Sequence, residues 1–104
     1  MRVRFLRIAQ IELDSAVEYL NAERKGSGYR FLREVLSAIS RAENFPHAWQ
    51  SLQKGTRRVL IRRFPYGVVY KVIDDLLLIV AIAHLHREPE YWIGRIDEIL
   101  KDET

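Results

Sequence analysis

The side chains with the most chemistry to offer lie in residues 57–92. There Arg57-Arg58-Val59-Leu60-Ile61-Arg62-Arg63-Phe64-Pro65-Tyr66 leads through two apolar stretches to His84-Leu85-His86-Arg87-Glu88-Pro89-Glu90-Tyr91-Trp92. Arginine forks hold phosphate through paired contacts, imidazole and phenol move protons, and aromatic rings stack on bases. The chemistry within reach is anion binding, and phosphodiester chemistry if cations, an acid and a base converge.

Short elements must position these groups. Residues 3–8 alternate apolar and basic side chains and read as a half-buried strand with Val3, Phe5 and Ile8 facing inward. From Gln10 to about Arg24, Leu13, Ala16, Val17 and Leu20 fall at helical spacing, with Glu12, Asp14 and Glu18 on the wet face. Lys25-Gly26-Ser27-Gly28 breaks that helix, and Ser27 can cap the next. The second helix, about residues 29–44, carries a stripe of Leu32, Val35, Leu36 and Ile39 widened by Phe31, Ala38 and Ala42, and Pro46 stops it. Residues 46–56 read as a loop in which Trp49 is a packing anchor.

Strands are expected over residues 57–64, 66–73 and 76–85, joined by tight antiparallel turns at Pro65 and Asp74-Asp75. Pro89 opens a final helix with Tyr91 or Trp92, Ile96, Ile99 and Leu100 inward, ahead of a frayed tail at residues 101–104. The predicted fold is α+β: a helical hairpin packed on a mainly antiparallel, about four-stranded sheet, in the order β-α-α-β-β-β-α, in one domain spanning residues 1–104.

Two-residue turns fix a register. Ile73 then pairs with Leu76, Lys71 with Leu78, Val69 with Val80, Phe64 with Gly67 and Arg62 with Val69. Arg58, Arg62, Lys71 and His84 share one face, while Val59, Ile61, Val68, Tyr70, Val72, Leu77, Ile79, Ala81 and Ala83 face the helical hairpin. The basic face is a candidate anion-binding surface, with Arg87 and Tyr91 arriving at its edge. The plainer reading is that arginine stems cover apolar sheet while their heads stay in water. Trp92 is expected in the core.

Composition narrows the classes. The 104 residues, 48% apolar, suit one modest core. The net charge of +3 says little by itself, but Lys54, Arg57, Arg58, Arg62, Arg63 and Lys71 fall within residues 54–71 with no acid among them. The absence of cysteine excludes a disulfide scaffold, a thiol nucleophile and the common structural zinc sites. His84 and His86 make a weak metal pair that needs Glu88 or Glu90 as a third ligand, so no metal is expected. No cofactor motif appears. The longest apolar run, residues 76–83, is too short to span a bilayer, and a cytoplasmic protein with no membrane partner is expected.

The ordered set carries a family resemblance. A strand, a helical hairpin, a Pro-ended loop, Arg-Arg opening a strand, Phe-Pro-Tyr, a Tyr-bearing strand, a strand ending in Ala-His, then Arg-x-Pro-x-Tyr-Trp resembles the RelE/ParE superfamily of bacterial toxins. In particular it is similar to ParE-like proteins, often called plasmid stabilisation proteins. The resemblance implies the toxin half of a type II toxin–antitoxin pair, with a cognate antitoxin as partner and a homodimer or toxin–antitoxin hetero-oligomer as assembly. ParE-like members poison DNA gyrase; RelE-like members cleave mRNA on the ribosome.

For the ribonuclease alternative, the resemblance assigns Arg62 to the phosphate with Arg58 or Arg87 assisting, His84 as acid or base, and Tyr91 as a stacking or proton-donating group. For target binding the set is Arg58, Arg62, Lys71, His84 and Lys54. The chain offers only Lys54 and Lys71 near the region where RelE is rich in lysine, and it lacks the His-Tyr ending of YoeB-like members. Those departures favour a gyrase-binding toxin over an endoribonuclease. A non-toxic homologue acting as a partner-binding module is the third alternative.

Overall fold

Apolar periodicity and the glycine-containing break produce the expected hairpin, with α1 over Arg7–Glu23 and α2 over Ser27–Asn44. The computed structural model describes the backbone of residues 1–88 and 90–102, and side chains through Ile99. Gly26 takes the N-cap position expected of Ser27, because the chain turns there at φ +85°, where a Cβ is disfavoured. The Asn21 side chain then accepts the Gly28 N–H at 2.8 Å. α2 buries Phe31, Val35, Ala38, Ile39 and Ala42. Leu36, expected on that stripe, is 55% exposed; one residue past Val35 lies about 100° further round a helix.

The sheet has five strands in the order β1-β5-β4-β3-β2. They are β1 Arg2–Phe5, β2 Gln50–Ser51, β3 Thr56–Leu60, β4 Tyr66–Ile73 and β5 Leu76–His84. β1 runs parallel to β5, and the other neighbours are antiparallel. The predicted element order stands, with the two-residue β2 added inside the predicted loop. β1 is shorter than residues 3–8: the Leu6 N–H bonds the Ile79 carbonyl at 2.9 Å and the chain turns into α1. Phe5 packs inward, but Val3 is 37% and Ile8 46% exposed, against expectation.

The register departs from the predicted one in two places. Ile73 pairs with Leu76 and Lys71 with Leu78 as expected, but Val69 pairs with Ala81 instead of Val80. Val80 is the extra residue of a β-bulge, and a bulge switches the faces of everything beyond it. Ile82 and His84 therefore turn to the hairpin side, while Ala81 and Ala83 turn away from it. In the other turn Leu60, not Phe64, pairs with Gly67. Residues 61–65 form a loop with Arg63 at φ +69°, closed by the Ile61 N–H on the Tyr66 carbonyl at 2.9 Å. That offset is even, so Arg58 keeps its predicted face beside Val69 and Lys71, whereas Arg62 leaves the strand.

Both sheet faces are covered. Phe31, Val35, Val59, Val68, Tyr70, Leu77 and Ile79 belong to the core under the hairpin. The other face is capped by Trp92 and by α3, Ile93–Asp102, whose Ile96 packs with Trp92 against Val69, Val80, Ala81 and Ala83. Trp92, 3% exposed, is core as expected. α3 starts later than predicted; Pro89, the Leu100 side chain, Glu103 and Thr104 lie outside the described residues. The helix includes residues 101 and 102. Among the described residues no helix is long and apolar enough to cross a membrane.

Candidate functional site

β1 stops pairing at Phe5↔Ile79, so the next part of β5 loses its neighbour while its backbone groups still need partners. Two charged side chains supply them. Glu12 Oε1 accepts the Ile82 N–H at 3.2 Å, and Arg95 Nη1 donates to the Val80 carbonyl at 3.0 Å. The same two side chains bind each other twice, Nη1 to Oε1 at 2.8 Å and Nη2 to Oε2 at 3.0 Å. Each is only 14% exposed, which corrects the reading of Glu12 as part of a solvated helix face. A buried ion pair persists when further hydrogen bonds offset its desolvation, and the backbone contacts do that here.

Tyr91 and Arg87 complete this cluster. The Tyr91 hydroxyl donates to Glu12 Oε2 at 2.6 Å, and the Arg87 guanidinium lies over the Tyr91 ring, 3.7 Å from its centroid and 3.8 Å from Glu12 Oε2. Burial, then the hydrogen bond to Glu12 and its charge, push the Tyr91 phenol up to about 12 against the opposing pull of Arg95 and Arg87. Burial lowers the Arg95 pKa, but Glu12 outweighs it and the guanidinium ends above its ordinary value. Tyr91 is thus poorly suited to give up a proton near neutral pH, and Arg87 occupies one of its faces.

A cleft of about 140 Å3 opens beside the cluster, lined by Leu52, Arg58, Val69, Ala83, His84, Leu85, Arg87, Glu88, Glu90, Tyr91 and Trp92. His84, Arg87 and Tyr91 also line a second depression, of about 280 Å3, on the α1 side with Glu12, Ser15 and Tyr19. They form a wall between the two. The His84 ring packs on Tyr66 at 4.8 Å, and its Nδ1 accepts the His86 N–H at 3.1 Å. That contact assigns the proton of a neutral ring to Nε2. Arg58 reaches the cleft across Gly67: a Cβ there would sit 2.8 Å from its Cδ and 2.9 Å from its Cγ. Its Nη2 donates to Gln50 Oε1 at 2.7 Å, while its buried Nε has no partner among the described residues. Of the five N–H groups of the guanidinium, Gln50 takes one on Nη2 and the one on Nε is shielded, so an acceptor such as a phosphate or carboxylate oxygen would meet the other Nη N–H groups.

Four predicted residues, Arg58, His84, Arg87 and Tyr91, gather here. Three others do not. Arg62 is exposed in the β3–β4 loop, Lys71 Nζ donates to the Lys54 carbonyl at 2.6 Å, and Lys54 Nζ pairs with Asp97 on α3 at 3.1 Å. The shared basic face is therefore corrected: Arg58 and Lys71 do lie on one side of the sheet, His84 lies on the other because of the bulge, and Arg62 is on neither. Sequence reasoning missed Glu12 and Arg95, whose local patterns are those of ordinary helix residues.

The model of the ParE toxin of the type II toxin–antitoxin system, parDE, matches residues 3–89. The chain belongs to the ParE toxin family. As a ParE-family protein it has a cognate antitoxin implied as its partner. Its fold is similar to a solved structure described as the chromosomal ParDE TA system from P. aeruginosa, with a TM-score of 0.74 at 14% identity, covering 83% of this chain and 97% of that one. No curated protein matches the chain. The match to the ParE family stops short of Tyr91 and α3, so the Glu12 network joins a matched helix to an element beyond the matched segment.

Proposed function

We propose that this ParE-family toxin disables its target by binding, that the target is DNA gyrase, and that its antitoxin neutralises it. One observation carries the preference for binding over catalysis: the proton-transfer candidate Tyr91 is committed to Glu12 with its phenol pushed up to about 12. The departure of Arg62 from the cleft supports the same reading, since a ribonuclease needs cations at the phosphate as well as an acid and a base. A second reading, a ribosome-dependent mRNA endoribonuclease, draws on Arg58, His84 and Arg87 lining one cleft.

The two separate in one pair of assays. Purified protein added to gyrase and relaxed plasmid is expected to block supercoiling or accumulate cleaved DNA, while mRNA on translating ribosomes stays intact. Ribosome-bound mRNA cuts that vanish in Arg58→Ala, with supercoiling unaffected, would replace the binding reading with the second.

A further inference from the structure

The β3–β4 loop that takes Arg62 and Arg63 away from the cleft brings them against the helical hairpin. A cavity of about 480 Å3 opens there, its polar lining being Arg24 at the end of α1, Ser27, Arg30, Arg33 and Glu34 in the first turns of α2, and Arg63. Four guanidiniums meet one acid, and among the described residues none of the four has a carboxylate within 4.0 Å. The first turn of α2 holds no acidic residue, so the positive end of its dipole adds to the field.

The charge continues along α2. Arg30 and Arg41 are close to three whole turns apart and so share one face over about 16 Å. Arg41 Nη2 donates to the Leu60 carbonyl at 3.2 Å, where β3 gives way to the loop, and its buried Nε has no partner among the described residues. Burial first, and then the charge of Arg62, lower the Arg41 pKa against the opposing pull of Glu34, which puts Arg62 and that one acid within electrostatic reach. Tyr29, 64% exposed and one turn before Arg33, places an open aromatic ring beside the stripe.

We propose that this arginine stripe binds the phosphodiester backbone of a nucleic acid without regard to base sequence. A line of cations from three segments matches a line of anions, and a nucleic-acid strand presents one about every 3.4 Å of helix axis. Arginine forks suit phosphate oxygens, and Tyr29 gives a stacking surface for a single-stranded stretch. An acidic protein segment would satisfy the charge but has no bases for that ring. The proposal does not rest on the gyrase reading, because none of these arginines lines the cleft.

The test is fluorescence anisotropy of the full chain with a labelled duplex of about 20 base pairs, and with a single strand of the same length, across a salt series. Four neutralised phosphates at about 0.9 each give a log–log salt slope near roughly −3.6. Arg30→Gln/Arg33→Gln is expected to weaken binding at least about tenfold and to flatten the slope by roughly 2, with an unchanged circular dichroism spectrum. Arg4→Gln/Arg7→Gln, which removes the same charge elsewhere, should leave binding close to wild type. No binding to either oligonucleotide at low salt would overturn the proposal, as would equal losses in the two double variants. Competition by poly-glutamate as effective as by unlabelled oligonucleotide would overturn it in favour of an acidic protein partner.

Discussion

Tyr91 shows how far surroundings alter a residue's chemistry. As a residue type it can donate a proton or stack; in place, it is a hydrogen-bond donor to Glu12 with Arg87 on its ring. Its folded-state value of about 12 lies above the ordinary phenol value of about 10. The stabilisation tied to that shift is fully present below pH ~10 and is lost as pH rises through about 12. Burial also raises Tyr66 and Tyr70, so the difference between the alkaline absorbance titrations of the wild type and Tyr91→Phe isolates Tyr91, and it is expected to titrate late. In Glu12→Gln that tyrosine should titrate earlier, because the negative charge that helps raise it is gone; an unmoved titration would refute the network. The sequence marked Tyr91 for chemistry but offered no route to Glu12, 79 residues away.

At the scale of elements, the bulge in β5 and the close packing of β3 on β4 set the cleft. The helices were legible because a 3.6-residue period and Gly and Pro punctuation are local signals. β5 is Leu-Leu-Leu-Ile-Val-Ala-Ile-Ala-His, apolar on both faces, so no alternation reveals that Val80 is the extra residue. The β3–β4 turn was equally silent: Arg62 and Arg63 alternate with nothing that binds them to a strand.

Gly67 is the element-level position to test. Its missing side chain lets the Arg58 stem cross β4, and those mid-chain atoms are held between the sheet and Gln50. Gly67→Ala is expected to cost about 1–3 kcal/mol in urea unfolding and to weaken target inhibition by displacing Arg58. Wild-type stability together with wild-type inhibition would show that Arg58 does not need that passage.

The whole molecule is one sheet with a core on each face, and the two differ in how they were foreseen. The hairpin core follows from the helical stripes. Phe31 lies at its centre, fully buried, with Phe64 at 5.2 Å and Tyr66 at 4.7 Å between ring centroids. Phe31→Ala should lose about 3–5 kcal/mol in chemical denaturation, a large share of the roughly 5–15 kcal/mol that holds a typical domain. Leu36→Ala, on the exposed side of the same helix, should stay within about 0.5 kcal/mol. A small Phe31 effect would mean that the hairpin is not seated as described.

The sequence by itself determined the order of elements, the helical hairpin, the Asp74-Asp75 turn, Trp92 as a core residue and the family resemblance, because each is written in neighbouring residues. Tertiary structure alone decided the register beyond Ile79, the covering of the second face by α3, the Glu12–Tyr91–Arg95 cluster and the separation of Arg58 from Arg62. Those depend on which distant backbone groups are left without partners and which side chains can reach them. A free strand edge is satisfied by whatever the fold brings to it, and no local pattern records that.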